Sequence, residues 1–295
     1  MSKPFIKWAG GKRQLLKYIS EKYSEDILED RIKYCEPFLG GGAVFFDIIK
    51  NKKFDEILLN DATEELIITY TVVKEDVERL INKLNMIEKE YLNLSNEDRK
   101  EYYYKKREKY NFLINNSKSK DMLEIAILFI FLNKTCFNGL YRVNKKGEFN
   151  VPIGSYKKPV ICDEENLRKV NNDLQNVKLI NKDFSETLDF IDNETIVYID
   201  PPYRPISKTS NFNSYHHKEF DDFEQKRLAE FCELASNKGA KLIISNSNPK
   251  NTDINDDFFE KLYKNFNIEI IEANRFINSN GKGRKPITEL LISNI

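Results

Sequence analysis

The stretch "IVYIDPPYRP", residues 196–205, ends an apolar run on a carboxylate, follows it with two prolines and sets an aromatic ring beside them. Asp200 offers a carboxylate acceptor and the Pro201 backbone a carbonyl. Neither Pro201 nor Pro202 has an N–H to compete as a donor, and both rings hold φ near about −65°. Tyr203 adds a flat face on which a base can stack. These acceptors suit an exocyclic amine on an aromatic ring, whose delocalised lone pair makes it a poor nucleophile. Holding both of its N–H bonds and drawing the nitrogen toward tetrahedral geometry would let it attack through positioning and preorganised electrostatics. The electrophile expected is a sulfonium methyl group, already activated, so no metal is required. The plain structural alternative is a strand-end aspartate followed by a rigid Pro-Pro turn.

A second stretch, "EPFLGGGAVFF" at 36–46, passes from a strand pattern to a helix pattern through Gly40, Gly41 and Gly42. Glycines there let a backbone approach a ligand closely, or simply make a tight turn. Asp61 ends the next strand pattern about twenty residues on, where an acidic side chain commonly accepts from ribose hydroxyls. Together these point to an adenosine-containing cofactor, either a nicotinamide dinucleotide or S-adenosylmethionine. The spacing G-x-G-x-x-G is absent, because Ala43, Val44 and Phe45 follow the glycines. That weakens a pyrophosphate reading.

These residues need a sheet to position them. Seven runs read as strands: 33–38, 56–61, 177–181, 196–200, 241–246, 268–273 and 288–293. Most are continuously apolar, the pattern of a parallel sheet covered on both faces. Helical patterns at 43–52, 63–74, 221–237 and 255–265 alternate with them, which argues for a doubly wound α/β sheet. Ligands of such sheets bind at the carboxyl ends of the strands, where Glu36, Asp61, Asp200 and Asn246 fall. Residues 75–170 break the alternation with charged helical segments, the apolar run "IAILFIFL" at 125–132, and a turn "NKKGE" between two alternating runs. The expected organisation is a discontinuous catalytic domain, 1–74 and 171–295, carrying a helical insert, 75–170, that ends in a β-hairpin.

The 295 residues carry 47 Lys+Arg against 47 Asp+Glu, so no global basic field announces a nucleic acid and any such partner must be read from local patches. Basic and aromatic residues interleave in "YYYKKREKYNF" (102–112), "YRVNKK" (141–146) and "GSYKKP" (154–159). An amine on adenine is buried in a duplex and must be flipped out to react, which calls for a DNA-gripping insert of this kind. For 102–112 taken alone, a solvated helical face fits slightly better. Four scattered cysteines give neither a disulfide framework nor zinc spacing. His216 and His217 have no acidic or cysteine partner at ligand spacing, so no metal is expected. No signal peptide and no run long enough to span a bilayer is present, which leads to the expectation of a cytoplasmic protein without a membrane partner.

Taken in order, "FIKWAGGK" (5–12), "EPFLGGGAVFF" and "DPPY" (200–203) resemble the α-group of DNA adenine-N6 methyltransferases, of the Dam and DpnM type. The segments 137–159, "SNFNSYH" (210–216), "LIISNS" (242–247) and "GRKPITELLISN" (283–294) extend the resemblance over nearly the whole chain, most loosely across 75–120. It implies a seven-stranded, Rossmann-like S-adenosylmethionine-dependent methyltransferase sheet, with the insert as target-recognition domain. It also implies a reaction at N6 of a flipped-out adenine, within 5′-GATC-3′ of double-stranded DNA. By position, Trp8, Ala9, Gly10 and Lys12 match the N-terminal cofactor loop, and Phe38 and Gly40, Gly41 and Gly42 the cofactor turn. Asp61 matches the ribose acid, and Asp183 and Phe184 the contacts to the cofactor adenine. Asp200 touches cofactor and target amine, with Pro201, Pro202 and Tyr203 completing the catalytic run. Lys7 matches the reader of the first guanine. Phe137, Asn138, Leu140, Arg142, Pro152 and Tyr156 fall on the segment that reads or holds the rest of the site. Phe137 stands where Dam has a base-wedging tyrosine, and Tyr141 agrees with the DpnM type. A monomer is expected, with a separately acting restriction endonuclease as a candidate counterpart. The alternatives are the same chemistry on another DNA sequence, on RNA or on a protein amide, or a non-catalytic DNA-binding homologue. A protein-amide enzyme more often carries Asn in place of Asp200, and intact Asp61, Asp200 and Tyr203 speak against a non-catalytic protein.

Overall fold

The computed structural model describes residues 1–8, 10, 12–23, 25–116, 121–204, 220–273 and 287–295. Ala9, His216, His217 and the whole of "SNFNSYH" lie outside the described residues, as does the start of the 283–294 segment. Strands β1 (Lys33–Glu36), β2 (Glu56–Asn60), β3 (Val177–Ile180), β4 (Thr195–Ile199), β5 (Lys241–Ser247), β6 (Asn267–Ala273) and β7 (Ile287–Ser293) form one sheet. Their order is β3-β2-β1-β4-β5-β7-β6. Every expected strand is present to within a residue or two at its ends. The first five are mutually parallel, whereas β7 lies between β5 and β6 and runs antiparallel to both.

The apolar runs are continuous because both faces are covered. Tyr34, Leu59, Ile196, Tyr198 and Ile243 point to one face, and Cys35, Leu58, Val197, Leu242 and Ile244 to the other, with the two-residue period of a pleated strand. Helices α9 (Asp222–Asn237) and α10 (Phe258–Leu262) cover the second face. On the first face pack α1 (Leu16–Lys22), α3 (Phe45–Ile48), α4 (Glu64–Glu75), α5 (Val77–Asn93), α6 (Asn96–Asn115), α7 (Met122–Thr135) and α8 (Glu164–Leu174), while α2 (Glu25–Glu29) precedes β1. No helix among the described residues is long and apolar enough to cross a membrane.

Two helices are shorter than their sequence patterns. Phe258–Leu262 starts late because Asp253 and Asp256 side chains accept from Asn255 and Phe258 N–H groups, turning 253–257 into Asx turns. Phe45–Ile48 ends early in bonds from Lys50 and Asn51 to residues three positions back.

The run 125–132 is buried throughout and forms the centre of α7, which packs against α4, α5 and α6. Apolar contact is continuous from Tyr34 and Leu59 in the sheet to Tyr103 and Phe149 in the 75–170 segment. Segment 136–156 doubles back around Asn144, whose Oδ1 accepts from Lys146 and Glu148 N–H groups at 2.9 and 3.0 Å. It pairs less extensively than the expected hairpin: the isolated bridges Cys136↔Ile153 and Val143↔Phe149 are carried by bonds from the Phe137, Gly154, Asn144 and Asn150 N–H groups to the Pro152, Thr135, Glu148 and Arg142 carbonyls. The 137–139 turn sets the bridges seven positions apart on one arm against four on the other, so the two do not join into one ladder. Side chains of α6 hold the outer side of the segment. Asn111 takes the Phe149 N–H and donates to its carbonyl, while Tyr103 Oη and Arg107 both donate to the Val151 carbonyl. Helix side chains thus satisfy the outward-facing backbone groups of Phe149 and Val151, which the bonds across the segment leave unpaired. The interleaved run 102–112 is accordingly a packing face: Tyr103 and Tyr110 are buried, and Arg107 lies 4.6 Å from the Tyr104 ring centroid.

Candidate active site

In chain order β1 is followed by β2 on one side of the sheet, and β4 by β5 on the other. The carboxyl ends of β1 and β4, adjacent in the sheet, therefore border the crevice where open α/β sheets bind ligands. The glycine turn leaves β1 and the Asp200–Tyr203 run leaves β4, so the two stretches singled out by chemistry face each other across this crevice.

The glycine turn is shaped by three local requirements. Gly40 and Gly42 adopt φ of 48° and 67°, the left-handed region. A Cβ on Gly40 would come within 2.8 Å of the Trp8 indole, and one on Gly42 within 2.9 Å of Tyr70 Oη. The Gly40 N–H also donates to Asp61 Oδ2 at 2.9 Å, and the Thr63 N–H to Oδ1 at 2.9 Å. Each carboxylate oxygen of the buried Asp61 thus accepts one backbone bond and keeps a lone pair for a further donor. Asn60 locks the neighbouring loops, donating to the Pro37 and Lys182 carbonyls and accepting from the Lys182 N–H.

Asp200 caps β4 with its carboxylate 2.7 Å from the buried Lys12 ammonium, which also donates to the Gly10 carbonyl at 3.0 Å and lies 4.6 Å from the Tyr203 ring centroid. Burial raises the Asp200 carboxyl above its ordinary range; the Lys12 charge and hydrogen bond oppose that rise, and Glu289 adds to it. Glu36, at the end of β1, is pushed up to about 8, chiefly by burial and further by Asp200, against the bond from Tyr34. Burial thus favours the neutral form of Glu36 near pH 7. Tyr203 Oη donates to Glu289 of β7, and the Pro202 carbonyl accepts from the buried Gln225 of α9 at 3.1 Å.

Phe38 and Phe184 stack 5.3 Å apart on the β3 side of the turn. Asp183 binds Arg227 and accepts from the Ser185 N–H; burial works against its charge, but these bonds outweigh it and hold the carboxyl below its usual range. On the other flank, the Trp8 indole stacks on Tyr141 at 5.7 Å. Lys7 exchanges backbone bonds of 2.7 Å with the Asn133 side chain, and its ammonium sits 3.9 Å over the Tyr156 ring. The Lys7 stem fills the space beside Gly139 that a Cβ would need. Phe137, half exposed, precedes Asn138, which has a φ of 55°, and its N–H donates to the Pro152 carbonyl. Arg142 Nε donates to Asn150 Oδ1 at 2.7 Å.

The structure thus brings Trp8, Gly10, Lys12, Phe38, the three glycines, Asp61, Phe184, Asp200 and Tyr203 around one crevice. It places Lys7, Phe137, Leu140, Pro152 and Tyr156 beside it, with Arg142 farther along the same turn. Residue spacing alone does not reach Glu289, Gln225 or Asn60. The "TELL" run was assigned only to a strand, and nothing in residue spacing pairs positions 203 and 289. Among the described residues no group of His, Cys, Asp and Glu could hold a metal ion.

A seven-stranded sheet with this crevice, glycine turn and ribose-height acid is the fold of the S-adenosylmethionine-dependent methyltransferases. Residues 8–277 match the D12 class N6 adenine-specific DNA methyltransferases, and the chain belongs to that family. It is 49% identical to the type II methyltransferase M.MjaIII of Methanocaldococcus jannaschii, over 99% of both chains. It is 37% identical to the type II methyltransferase M1.LlaDCHI of Lactococcus lactis subsp. cremoris, over 99% of this chain and 95% of that one. It is 33% identical to the DNA adenine methylase of Escherichia coli strain K12, over 98% of this chain and 94% of that one. The chain is an adenine-specific DNA methyltransferase that takes its methyl group from S-adenosylmethionine. The residues fit that cofactor's chemistry: a buried carboxylate with spare lone pairs for two hydroxyls, an apolar aromatic wall, an ammonium for a carboxylate, and a recessed aspartate for a sulfonium.

Proposed function

We propose that this enzyme methylates N6 of an adenine flipped out of duplex DNA, within GATC. The observation that carries the adenine chemistry is the buried Lys12–Asp200 pair at the end of β4, beside Tyr203 and across the crevice from Asp61 and the glycine turn. In this reading S-adenosylmethionine supplies an activated methyl group, Asp61 binds its ribose hydroxyls, Phe38, Asp183 and Phe184 border its adenine, and Trp8, Ala9, Gly10 and Lys12 hold its methionine end. Asp200 and the Pro201 carbonyl accept the two N–H bonds of the target amine, and the extruded base stacks on Tyr203. The wedge into the vacated stack is Phe137, whose exposed ring projects from the strained Phe137–Asn138 turn. Residues 75–170 act as the target-recognition domain on the catalytic domain formed by 1–74 and 171–295. The enzyme works as a cytoplasmic monomer, alongside a separately acting restriction endonuclease. What supports GATC is the placement of Lys7 against Tyr156 and the 137–139 turn, together with likeness to DNA adenine methylases.

If Asp61 binds the ribose, Asp61→Ala weakens S-adenosylmethionine binding by about 1.5–3 kcal/mol, the usual worth of hydrogen bonds to a charged group. Calorimetric titration checks this, and an unchanged affinity removes the ribose role.

Sequence reading has its own test. Among the described residues Arg142 donates through Nε alone, so its Nη groups can reach guanine O6 and N7 in the major groove. Arg142→Ala should relax discrimination at one outer base pair by about 1–3 kcal/mol. Lys157→Ala, a phosphate contact in this reading, should weaken all duplexes alike and lower the salt slope by about one. Methylation rates on GATC and its single-base variants at two salt concentrations decide between the roles. If Arg142→Ala lowers every rate by the same factor, Arg142 is only a phosphate contact.

A further inference from the structure

One face of α9 grips the chain on both sides of Tyr203. Asp222 and Gln225 lie three positions apart in the first turns of α9, so their side chains leave the same side of the helix. Gln225, wholly buried, donates to the Pro202 carbonyl at 3.1 Å and is itself held by Asn246 Nδ2 at 3.2 Å. Asp222 accepts Nε and Nη2 of Arg204 at 2.6 and 3.0 Å. The remaining arm of Arg204, Nη1, reaches Asp256 at 2.6 Å, and the guanidinium lies 4.2 Å from the Phe258 ring centroid. The Arg204 side chain is only 22% exposed. Pro202 and Arg204 are the chain neighbours of Tyr203, so these two anchors bracket the ring. Successive side chains of an extended segment alternate, and Tyr203 accordingly faces Lys12 and Glu289 while Arg204 faces α9 and α10.

A half-exposed ion pair adds little stability as such. A guanidinium fork shared between two carboxylates and a ring instead defines a direction, which a lysine cannot reproduce. We propose that Arg204 and Gln225 are positioning residues for methyl transfer: they fix the backbone on either side of Tyr203 and so set the depth and tilt at which its ring meets the target adenine. The proposal rests on the reading of Tyr203 as the stacking platform for a flipped base. A misplaced platform leaves the cofactor half of the crevice intact but sets the amine nitrogen off line from the methyl carbon.

The test compares Arg204→Ala, Arg204→Lys and the control Arg168→Ala, which removes a similar fork to Glu78 on the distant insert surface. Measured for each are kcat on an adenine duplex, S-adenosylmethionine affinity by calorimetry, and fluorescence of a duplex carrying 2-aminopurine at the target position. Arg204→Ala is expected to lower kcat by about tenfold to 100-fold, the scale of a small misplacement at a reacting centre, with cofactor affinity unchanged and the fluorescence signal altered. Arg204→Lys should recover part of kcat, and Arg168→Ala should behave as wild type. If Arg204→Ala does not fold, Arg204→Lys and Asp222→Asn carry the same comparison. Wild-type kcat in Arg204→Ala, or equal losses of kcat and cofactor affinity, overturns the proposal. A wild type that methylates adenine with no fluorescence change overturns the flipped-base reading and the bracket's role with it. A wild type that flips, beside an indistinguishable Arg204→Ala, overturns the bracket alone.

Discussion

Asp200→Ala should lower single-turnover methyl transfer by roughly 100- to 1000-fold, the loss seen when one preorganised transition-state partner is removed. The carboxylate stands at the end of β4 with its second function, the pairing with Lys12, already satisfied within the protein. In the proposed reading its bond to the target amine strengthens only as the nitrogen develops positive charge, so the loss belongs to the chemical step. S-adenosylmethionine affinity should fall much less, because in the proposed reading the ribose and adenine ends are held by Asp61, Phe38 and Phe184. DNA affinity should be nearly unchanged. Near wild-type turnover in a single-turnover assay with labelled cofactor would remove Asp200 from the reaction.

Lys12→Met should give the second largest effect, and it should depend on pH. Burial pushes the Asp200 carboxyl up, and Lys12 is the neighbour that pulls it back. The form that accepts the amine N–H is the carboxylate, so activity is present above the Asp200 pKa and is lost as pH falls through it. Removing Lys12 removes the lowering influence, so the acid limb of the profile moves to higher pH. Each unit of that movement makes the deficit about tenfold larger on the acid side than on the alkaline side. Single-turnover rates between about pH 6 and about pH 9, at saturating cofactor and DNA, separate this from weaker methionine binding. Parallel profiles for wild type and variant would show that Lys12 does not set the charge of Asp200.

Much of this was legible because strand burial writes itself into sequence. Runs such as 196–200 and 241–246 could be placed because a parallel strand covered on both faces has no polar side to interrupt it. Asp61, Asp200 and Gly40–Gly42 stood out because strand-end carboxylates and glycine turns are local patterns. The antiparallel return around "NKKGE" is legible from the alternation on either side of it, but its shortness is not, because the Phe137–Gly139 turn that shifts the register of one arm carries no pattern of its own. The run 102–112 divides between a packing face and a solvated one, with Tyr103 and Tyr110 buried against the 136–156 segment and Lys105, Glu108 and Lys109 exposed, as a helix with one solvated face should. Lys12 could be placed near the cofactor by likeness, but its 2.7 Å contact with Asp200 joins residues far apart in the chain. Glu289, Gln225 and Arg204 belong to the same kind. Their partners are set by the sheet order, in which β7 lies beside β5 and α9 returns under the β4 turn, and no window of sequence contains both members of a pair.

Expression in a host lacking adenine methylation, followed by genome-wide mapping of N6-methyladenine, tests the central claim most directly. The account predicts N6-methyladenine concentrated at GATC on both strands, absent when the Asp200→Ala variant is expressed in its place. Methylation at a different motif would leave the adenine chemistry standing and overturn the reading of Lys7 and Arg142. A genome without N6-methyladenine, from a well-expressed and cofactor-binding protein, would contradict the account at its centre.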